Sequence, residues 1–180
     1  MSDYGVITEA ATVRFERLLP GPIERVWEYL TQADKRATWF AGGEMELRRG
    51  GKVELRFRHA DIAQPGEVPP EKYRKVHEEG MTSYGEITRC EPPRLLSFIW
   101  GKDGEVTFEL FPRGKEVLLQ LTHSRLPDKT TLLSVSGGWH THLDMLAAHL
   151  AGRTPPPFWA THDALSAEYE SRLKAAKGDR

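Results

Sequence analysis

The chain has 180 residues, of which 39% are hydrophobic and 28% charged, and its formal net charge of −1 excludes the overall basic field that attracts nucleic acid. The single cysteine, Cys90, excludes a disulfide framework within one chain and favours a reducing compartment. No apolar run approaches the roughly 18–20 residues that cross a bilayer, and the N-terminus lacks the layout of a signal peptide, so we expect a cytoplasmic protein without a membrane span.

The N-terminal part predicts one strand followed by two short helices. Residues 6–18, VITEAATVRFERL, mix β-branched and polar residues as a strand does. An amphipathic helix comes next, because apolar residues recur at i, i+3, i+4 and i+7: Ile23, Val26, Trp27 and Leu30. A second short helix is expected to end near Trp39.

From Glu44 onward, the sequence predicts an antiparallel meander of about six strands. EMELRRGGKVELRFR alternates on both sides of Gly50 and Gly51, which indicates a hairpin. The next alternating runs are TSYGEITRC, LLSFIW, EVTFELF and EVLLQLTHS, with short turns between them. Short connections of this kind join neighbouring antiparallel strands.

One connection is long. Residues 59–80 contain three prolines, no sustained period and two histidines, His59 and His77, that we interpret as loop residues. A loop of this length in a compact domain is usually a lid, a binding loop or a disordered segment. Both a mobile insertion and a lid fit the pattern.

The C-terminal part predicts two helices. The first runs from about Lys129 to Ala151, with a stripe of apolar residues that must lie on the sheet: Trp139, Leu143, Leu146 and Leu150. After the prolines of GRTPPP, a second helix begins at Phe158. Its aromatic residues either fold back onto the domain or support a homodimer. We divide the chain into a main domain, residues 1–154, and a helical extension, residues 155–180.

The histidines of the long helix do not form a metal site. His140 and His142 point about 200° apart, and His142 and His149 are two turns apart, so no pair has the i, i+4 spacing that one zinc ion needs. We expect His140 to face solvent beside Asp144 and His149 to lie near the helix end. His142 is either a boundary residue or faces a cavity between helix and sheet.

His123 continues the inward face of Val117, Leu119 and Leu121, where a histidine is either a hydrogen-bonded core residue or part of a pocket wall. His123 and His142 are therefore the candidate catalytic residues, as general bases. Glu86 is a possible acid partner if its strand turns that face inward. No nucleophile motif or phosphate-binding glycine loop occurs, so we predict no cofactor and no metal.

Four longer segments resemble one known family. RLLPGPIERVWEYLTQADKRATWF, GEITRCEPPRLLSFIWG, VTFELFP with VLLQLTHSRLP, and GGWHTHLDMLAAHLAG are similar to the C-terminal domain of the activator of the heat-shock protein 90 ATPase, within the START-like superfamily. The resemblance implies an α+β helix-grip fold. In that fold a curved antiparallel sheet of six to seven strands wraps around a long C-terminal helix, two short helices follow strand 1, and here a helical tail is added.

The resemblance also implies a cavity between the long helix and the sheet, in which such proteins commonly bind apolar molecules; some members cyclise or dehydrate polyketides. The candidate ligand-binding residues are large inward side chains and a few polar ends: Trp39, Phe57, Phe98, Trp100, Phe108, His123, Trp139, His142 and Leu146. The same composition is typical of a solid core. We predict a small hydrophobic molecule as the partner, with a cyclase or dehydratase activity and a co-chaperone-like role as alternatives.

Overall fold

The protein has an α+β fold in which a curved antiparallel sheet packs against a long helix, as the sequence predicts. The computed structural model describes residues 2–9 and 11–178, with side chains up to residue 175. The strands are β1 (Val6–Glu9), β2 (Thr12–Pro20), β3 (Lys52–Phe57), β4 (Met81–Glu91), β5 (Leu95–Trp100), β6 (Glu105–Arg113) and β7 (Glu116–Ser124). Their order in the seven-stranded sheet is β1-β2-β7-β6-β5-β4-β3, so β3 to β7 form the predicted meander.

The helices are α1 (Ile23–Thr31), α2 (Ala33–Arg36), α3 (Arg74–Glu78), α4 (Lys129–Leu150) and α5 (Phe158–Gly178). The short helix α3 lies inside the long connection between β3 and β4. We call residues 59–80 the β3–β4 segment; it also contains two single helical turns, His59–Asp61 and Glu71–Tyr73. None of the helices among the described residues combines the length and apolar character that a membrane span requires.

Two predicted strands differ from the structure. The strand over residues 6–18 is two strands, β1 and β2, and residue 10 between them lies outside the described residues. In the predicted hairpin around Gly50 and Gly51, only β3 joins the sheet. The bend at the two glycines hydrogen-bonds to Ile87 of β4, through Gly50 N–H to the Ile87 carbonyl and Ile87 N–H to the Gly51 carbonyl, both at 2.8 Å. Residues 42–46 pair with β3 only through isolated bridges, Gly42 with Arg56 and Met45 with Val53, and do not form a strand of their own.

The core lies between α4 and the concave face of the sheet. The predicted apolar stripe of α4 is confirmed: Trp139, Leu143, Leu146 and Leu150 are all buried. The predicted inward face of β7 is buried opposite it. In β4, Ile87 points inward and Glu86 is exposed, so Glu86 is excluded as an acid on the inner face.

Helix α5 folds back onto the same chain. Phe158, Trp159 and Tyr169 are between 1% and 4% exposed, because they pack against α4, the β3–β4 segment and the N-terminal residues. Its first turn lies near one end of the sheet, and Tyr169 lies near the N-terminal residues. The helix therefore contacts two distinct parts of the domain.

Candidate ligand cavity

A cavity of about 240 Å³ lies at one end of the sheet, between α4, α5 and the β3–β4 segment. Its wall is mostly aromatic: Phe40, Phe57, Tyr73, Trp100, Trp139, Phe158 and Trp159. Three histidines, His59, His142 and His162, contribute its main polar groups. The remaining lining residues are Val76, Met81, Ser134, Val135 and Gly138. None of these residues carries a formal charge when the histidines are neutral.

The cavity opens to solvent between α4 and the start of β4. Met81 is 48% exposed and Ser134 is exposed, although both line the cavity. Phe158 and His162 of α5, which also line the cavity, are buried. The aromatic wall is therefore accessible from solvent past Met81 and Ser134.

The carboxylate of Glu67 joins the β3–β4 segment to α5. It accepts hydrogen bonds from the backbone N–H groups of Phe158 and Trp159, both at 2.9 Å, and of Ala160 at 3.4 Å. The first N–H groups of a helix have no partner within the helix, and a negative charge there also interacts favourably with the helix dipole. Glu67 thus caps α5 from a distant part of the sequence and closes one side of the cavity.

Trp159 makes a second connection between these two elements. Its indole Nε1–H donates to Nδ1 of His77 at 3.0 Å, and its ring stacks on Tyr73 with centroids 5.3 Å apart. The apolar side of the indole still lines the cavity. The long connection is therefore an ordered part of the wall.

A buried arginine positions the α2–β3 connection on the other side of the cavity. Arg36 is 1% exposed and donates to backbone carbonyl groups of Thr31, Ala41 and Gly42 at 3.0–3.2 Å. Burial lowers the pKa of its guanidinium to about 10. Because the carbonyl groups surround this cation, the connection bends so that Phe40 reaches the cavity and the Trp39 carbonyl faces α4.

His142 projects from α4 into this environment. Its Nδ1 lies 2.7 Å from the Trp39 carbonyl oxygen, which can only accept, so Nδ1 carries the proton. Burial lowers the pKa of His142 to about 3, and the neighbouring His59 adds to the effect. The imidazole is therefore neutral at physiological pH, and Nε2 is its acceptor.

His59 and His162 are neutral for the same reason. Burial lowers the pKa of His59 to about 4 and also lowers the pKa of His162. His59 Nδ1 is buried without a hydrogen-bond partner among the described residues. His162 Nδ1 lies 3.5 Å from a carboxylate oxygen of Asp163, which is long for a hydrogen bond.

His123 lies behind the cavity wall and both of its ring nitrogens are engaged. Nε2 donates to the Asp103 carbonyl at 2.6 Å, and Nδ1 accepts from the Trp139 indole at 3.0 Å. Its ring also stacks on Trp100, with centroids 5.9 Å apart. His123 orients two aromatic rings of the wall and has no free nitrogen for a ligand.

A sequence profile of the family described as Activator of Hsp90 ATPase homolog 1-like protein matches residues 20–151. The chain belongs to this family. It shares the START-like helix-grip fold that the resemblance predicts. No curated protein matches the chain significantly.

Solved structures similar to this chain include one at 46% sequence identity and others at much lower identity. A protein of Bordetella parapertussis, solved by NMR, is 46% identical, with a TM-score of 0.80 over 95% of this chain and 91% of its own. CalU16 of Micromonospora echinospora is 26% identical, with a TM-score of 0.63 over 89% of this chain and 86% of its own. The Aha1 dimer of Colwellia psychrerythraea, at 14% identity and a TM-score of 0.55 over 77% and 95% of the two chains, shows the fold alone.

The family match ends at residue 151, before α5 begins. Phe158, Trp159 and His162 therefore line the cavity from outside the matched region. The Bordetella relative covers more of this chain than residues 20–151 contain, so its likeness extends beyond the family match.

The structure places the predicted ligand-binding residues in two groups. Four of them line the cavity: Phe57, Trp100, Trp139 and His142. The other five are buried in the core outside the cavity wall: Trp39, Phe98, Phe108, His123 and Leu146. The middle of the space between α4 and the sheet is filled by side chains, so the cavity lies at one end of the sheet.

The structure contradicts the predicted position of one α4 histidine and agrees with that of another. His140 is 5% exposed and its Nδ1 lies 2.9 Å from the Tyr169 hydroxyl, so the prediction that it faces solvent is wrong. Helix α5 covers that side of α4, which the pattern of α4 alone does not reveal. His149 lies near the helix end as predicted, with Nε2 3.0 Å from the Thr38 carbonyl.

Sequence reasoning missed most of the wall. The missed residues come from the β3–β4 segment, the start of β4, α4, α5 and the α2–β3 connection: Phe40, His59, Tyr73, Val76, Met81, Ser134, Val135, Gly138, Phe158, Trp159 and His162. A signal was present in FWATH, where Phe158, Trp159 and His162 share one side of a helix. Among the described residues, no group of three or more His, Cys, Asp or Glu side chains is placed to hold a metal ion.

Proposed function

We propose that this protein binds a small, mainly apolar molecule in the cavity between α4, α5 and the β3–β4 segment. The observation that carries the proposal is an open cavity of about 240 Å³ with seven aromatic lining residues and a few polar groups. Binding sites for small molecules have this composition. The single cysteine, Cys90, fits the cytoplasmic location that we propose with it.

Acid–base catalysis by the cavity histidines is the less favoured alternative. A general base works best when its pKa lies near the operating pH, and burial lowers the pKa of His142 to about 3. His123 has both nitrogens in hydrogen bonds to Asp103 and Trp139. A cyclase or dehydratase activity would need a stronger base than these residues offer.

A homodimer or co-chaperone-like contact through the tail is also less favoured. Phe158, Trp159 and Tyr169 are already buried within their own chain, so they are not available to a partner without opening α5. Sedimentation of the full chain tests this alternative.

Gly138 offers a direct test of the binding proposal. It lines the cavity, and a Cβ built there would meet no atom within 4 Å. The Cβ of a larger residue is therefore accommodated at this position, and we expect a tryptophan side chain there to occupy part of the cavity. In Gly138→Ala the added methyl group leaves most of the cavity, and alanine favours the helix by about 1 kcal/mol.

The experiment is a titration with azulene, an uncharged apolar dye of two fused rings that has no hydrogen-bonding group, followed by absorbance. We expect wild type and Gly138→Ala to bind about one dye per chain, and Gly138→Trp to lose at least about tenfold in affinity at an unchanged fold by circular dichroism. Absence of saturable dye binding to wild type would refute the proposal. So would equal affinity in Gly138→Trp, since the dye would then bind elsewhere.

A further inference from the structure

The hydrogen bonding of His142 specifies what its ligand must offer. Nδ1–H is donated to the Trp39 carbonyl at 2.7 Å, so the only remaining polar atom of the ring is Nε2. In a neutral imidazole this nitrogen accepts. No described residue donates to it, and the ring lines the cavity.

Aromatic and imidazole rings surround this acceptor. Phe40 and Phe158 both lie 5.2 Å from the His142 ring, and His59 lies 6.1 Å from it, measured between centroids. A polar atom among apolar groups costs free energy until it has a hydrogen-bond partner. The buried Nδ1 atoms of His59 and His162, which also line the cavity, have no hydrogen-bond partner among the described residues either.

The residues that line the cavity also disfavour a charged ligand. It contains no Lys, Arg, Asp or Glu, so nothing there compensates a carboxylate or an ammonium group. Burying an unpaired charge is far more costly than burying an unpaired polar group. The histidines do not supply a positive charge, since burial disfavours their protonated forms.

The size of the cavity limits the number of rings. A protein cavity of about 150 Å³ accepts benzene. The volume of about 240 Å³ is therefore suited to a compound of one or two rings, which can stack or meet edge-on with the aromatic wall.

We infer that the ligand is an uncharged one- or two-ring compound that carries a hydroxyl or N–H group, and that this group donates to Nε2 of His142. The inference rests on the proposed function and narrows the bound molecule to one chemical class. Phenols and ring compounds with a free N–H belong to this class, and aromatic acids do not.

Three probes that share a naphthalene ring test the inference at pH 7: 2-naphthol, its methyl ether 2-methoxynaphthalene, and 2-naphthoate. We expect 2-naphthol to bind about two- to twelvefold more tightly than the ether, because one net hydrogen bond contributes about 0.5–1.5 kcal/mol. We expect 2-naphthoate to bind more weakly than both. Equal affinities of naphthol and ether, or tighter binding of naphthoate, would overturn the inference.

The variant His142→Asn tests the assigned atom. An asparagine amide can still donate to the Trp39 carbonyl, but it lacks an acceptor at the position of Nε2. We expect the ratio of the naphthol and ether affinities to fall to about one in this variant, since the ratio isolates the hydrogen bond from changes in ring packing. A preference that persists would overturn the assignment to His142.

A spectroscopic measurement on the wild type covers the case in which this variant does not fold. With ¹⁵N-labelled histidine, saturation with 2-naphthol should shift the Nε2 resonance of His142, and saturation with the ether should shift it much less. An unmoved resonance would overturn the inference. If azulene binds while neither naphthol nor the ether does, the inferred ligand class is wrong and the binding function stands; if no probe binds, the proposed function itself fails.

Discussion

Helix α4 carries His142 on one side and His140 on another, and the polar groups around these two histidines are hydrogen-bonded differently. We call His59, His142 and His162 the pocket cluster, and Gly5, Arg17, His140, Asp144 and Tyr169 the anchor cluster. The pocket cluster borders a cavity and leaves ring nitrogens without protein partners. The anchor cluster joins the N-terminal residues, β2, α4 and α5 by direct contacts.

The anchor cluster is centred on one hydroxyl group. The Tyr169 hydroxyl accepts from the Gly5 N–H at 2.7 Å and lies 2.9 Å from His140 Nδ1. Arg17 lies 3.6 Å from Asp144, and the Arg172 guanidinium lies 3.6 Å from the ring centroid of Tyr4. Burial raises the pKa of Tyr169 to about 12 and lowers that of His140 to about 4, so both remain neutral.

The two clusters illustrate two functions of buried polar groups. In the anchor cluster most polar atoms find a protein partner and the group holds elements together, although Arg17 Nη2, 3.6 Å from Asp144, makes no hydrogen bond to a described residue. Where a neutral imidazole borders a cavity and keeps a free acceptor, the group can recognise a ligand. One helix serves both purposes, because His140 and His142 are only two residues apart and point to different sides.

Acidification is expected to have the largest effect, and it acts on the pocket cluster. The pKa of His59 is about 4 and that of His142 about 3, both below the value of about 6.5 for an unfolded chain. Because the folded state binds these protons more weakly, this contribution to stability is complete above about pH 6.5 and is lost as the pH falls toward the folded pKa values. At pH 5, linkage gives a loss of about 2 kcal/mol for each group.

Urea unfolding at pH 8, 7, 6 and 5 measures this loss. His140 of the anchor cluster acts in the same direction, since burial also lowers its pKa. The variants His142→Asn and His140→Gln separate the two clusters. Each variant should reduce the loss of unfolding free energy between pH 7 and pH 5 by the contribution of one histidine. A free energy of unfolding that does not change between pH 7 and pH 5 would contradict the neutral state of both clusters.

Removal of the anchor hydroxyl is expected to have an intermediate effect. Tyr169→Phe leaves the Gly5 N–H and His140 Nδ1 without their partner, which should lower the free energy of unfolding by about 1–3 kcal/mol. Dye affinity should stay within about twofold, because Tyr169 does not line the cavity. The control is Tyr84→Phe, since Tyr84 is 68% exposed and should change stability by less than about 0.5 kcal/mol. A large loss of dye binding in Tyr169→Phe would show that the clusters are coupled.

The cap of α5 is expected to give the smallest effect on stability. Glu67→Ala removes the acceptor for the first N–H groups of α5, and losses of helix caps cost about 1 kcal/mol. Hydrogen exchange should lose protection at the amides of Phe158 and Trp159, near the cavity, and keep it at the Gly5 amide in the anchor cluster. Glu71→Ala is the matched control, because the Glu71 side chain is 79% exposed on the same segment. Equal exchange at Phe158 in both variants would argue against the cap.

The fold could be predicted from the sequence because it follows from local periodicity. The alternation in EVTFELF and EVLLQLTHS selects the inward face of β6 and β7, and the stripe from Trp139 to Leu150 selects the face of α4 that meets it. Such patterns depend on neighbours along the chain. The family resemblance then supplied the order of the elements.

The cavity could be predicted only in part, because its wall comes from segments that are far apart in sequence. His142 was placed at the edge of the apolar stripe by helical geometry, but whether it faces a cavity depends on α5 and on Glu67, about 90 residues away from the helix that it caps. His140 was predicted to face solvent because nothing in the sequence of α4 shows that Tyr169 covers it.

The amino-acid sequence by itself determined strands β3 to β7, the long helix and its buried face, because backbone propensity and side-chain period act over a few residues. Only the tertiary structure decided where space remains, which histidine nitrogens have partners and which side of α4 is covered. Those properties arise from packing between distant segments, where a single carboxylate or carbonyl group decides the position of a whole element.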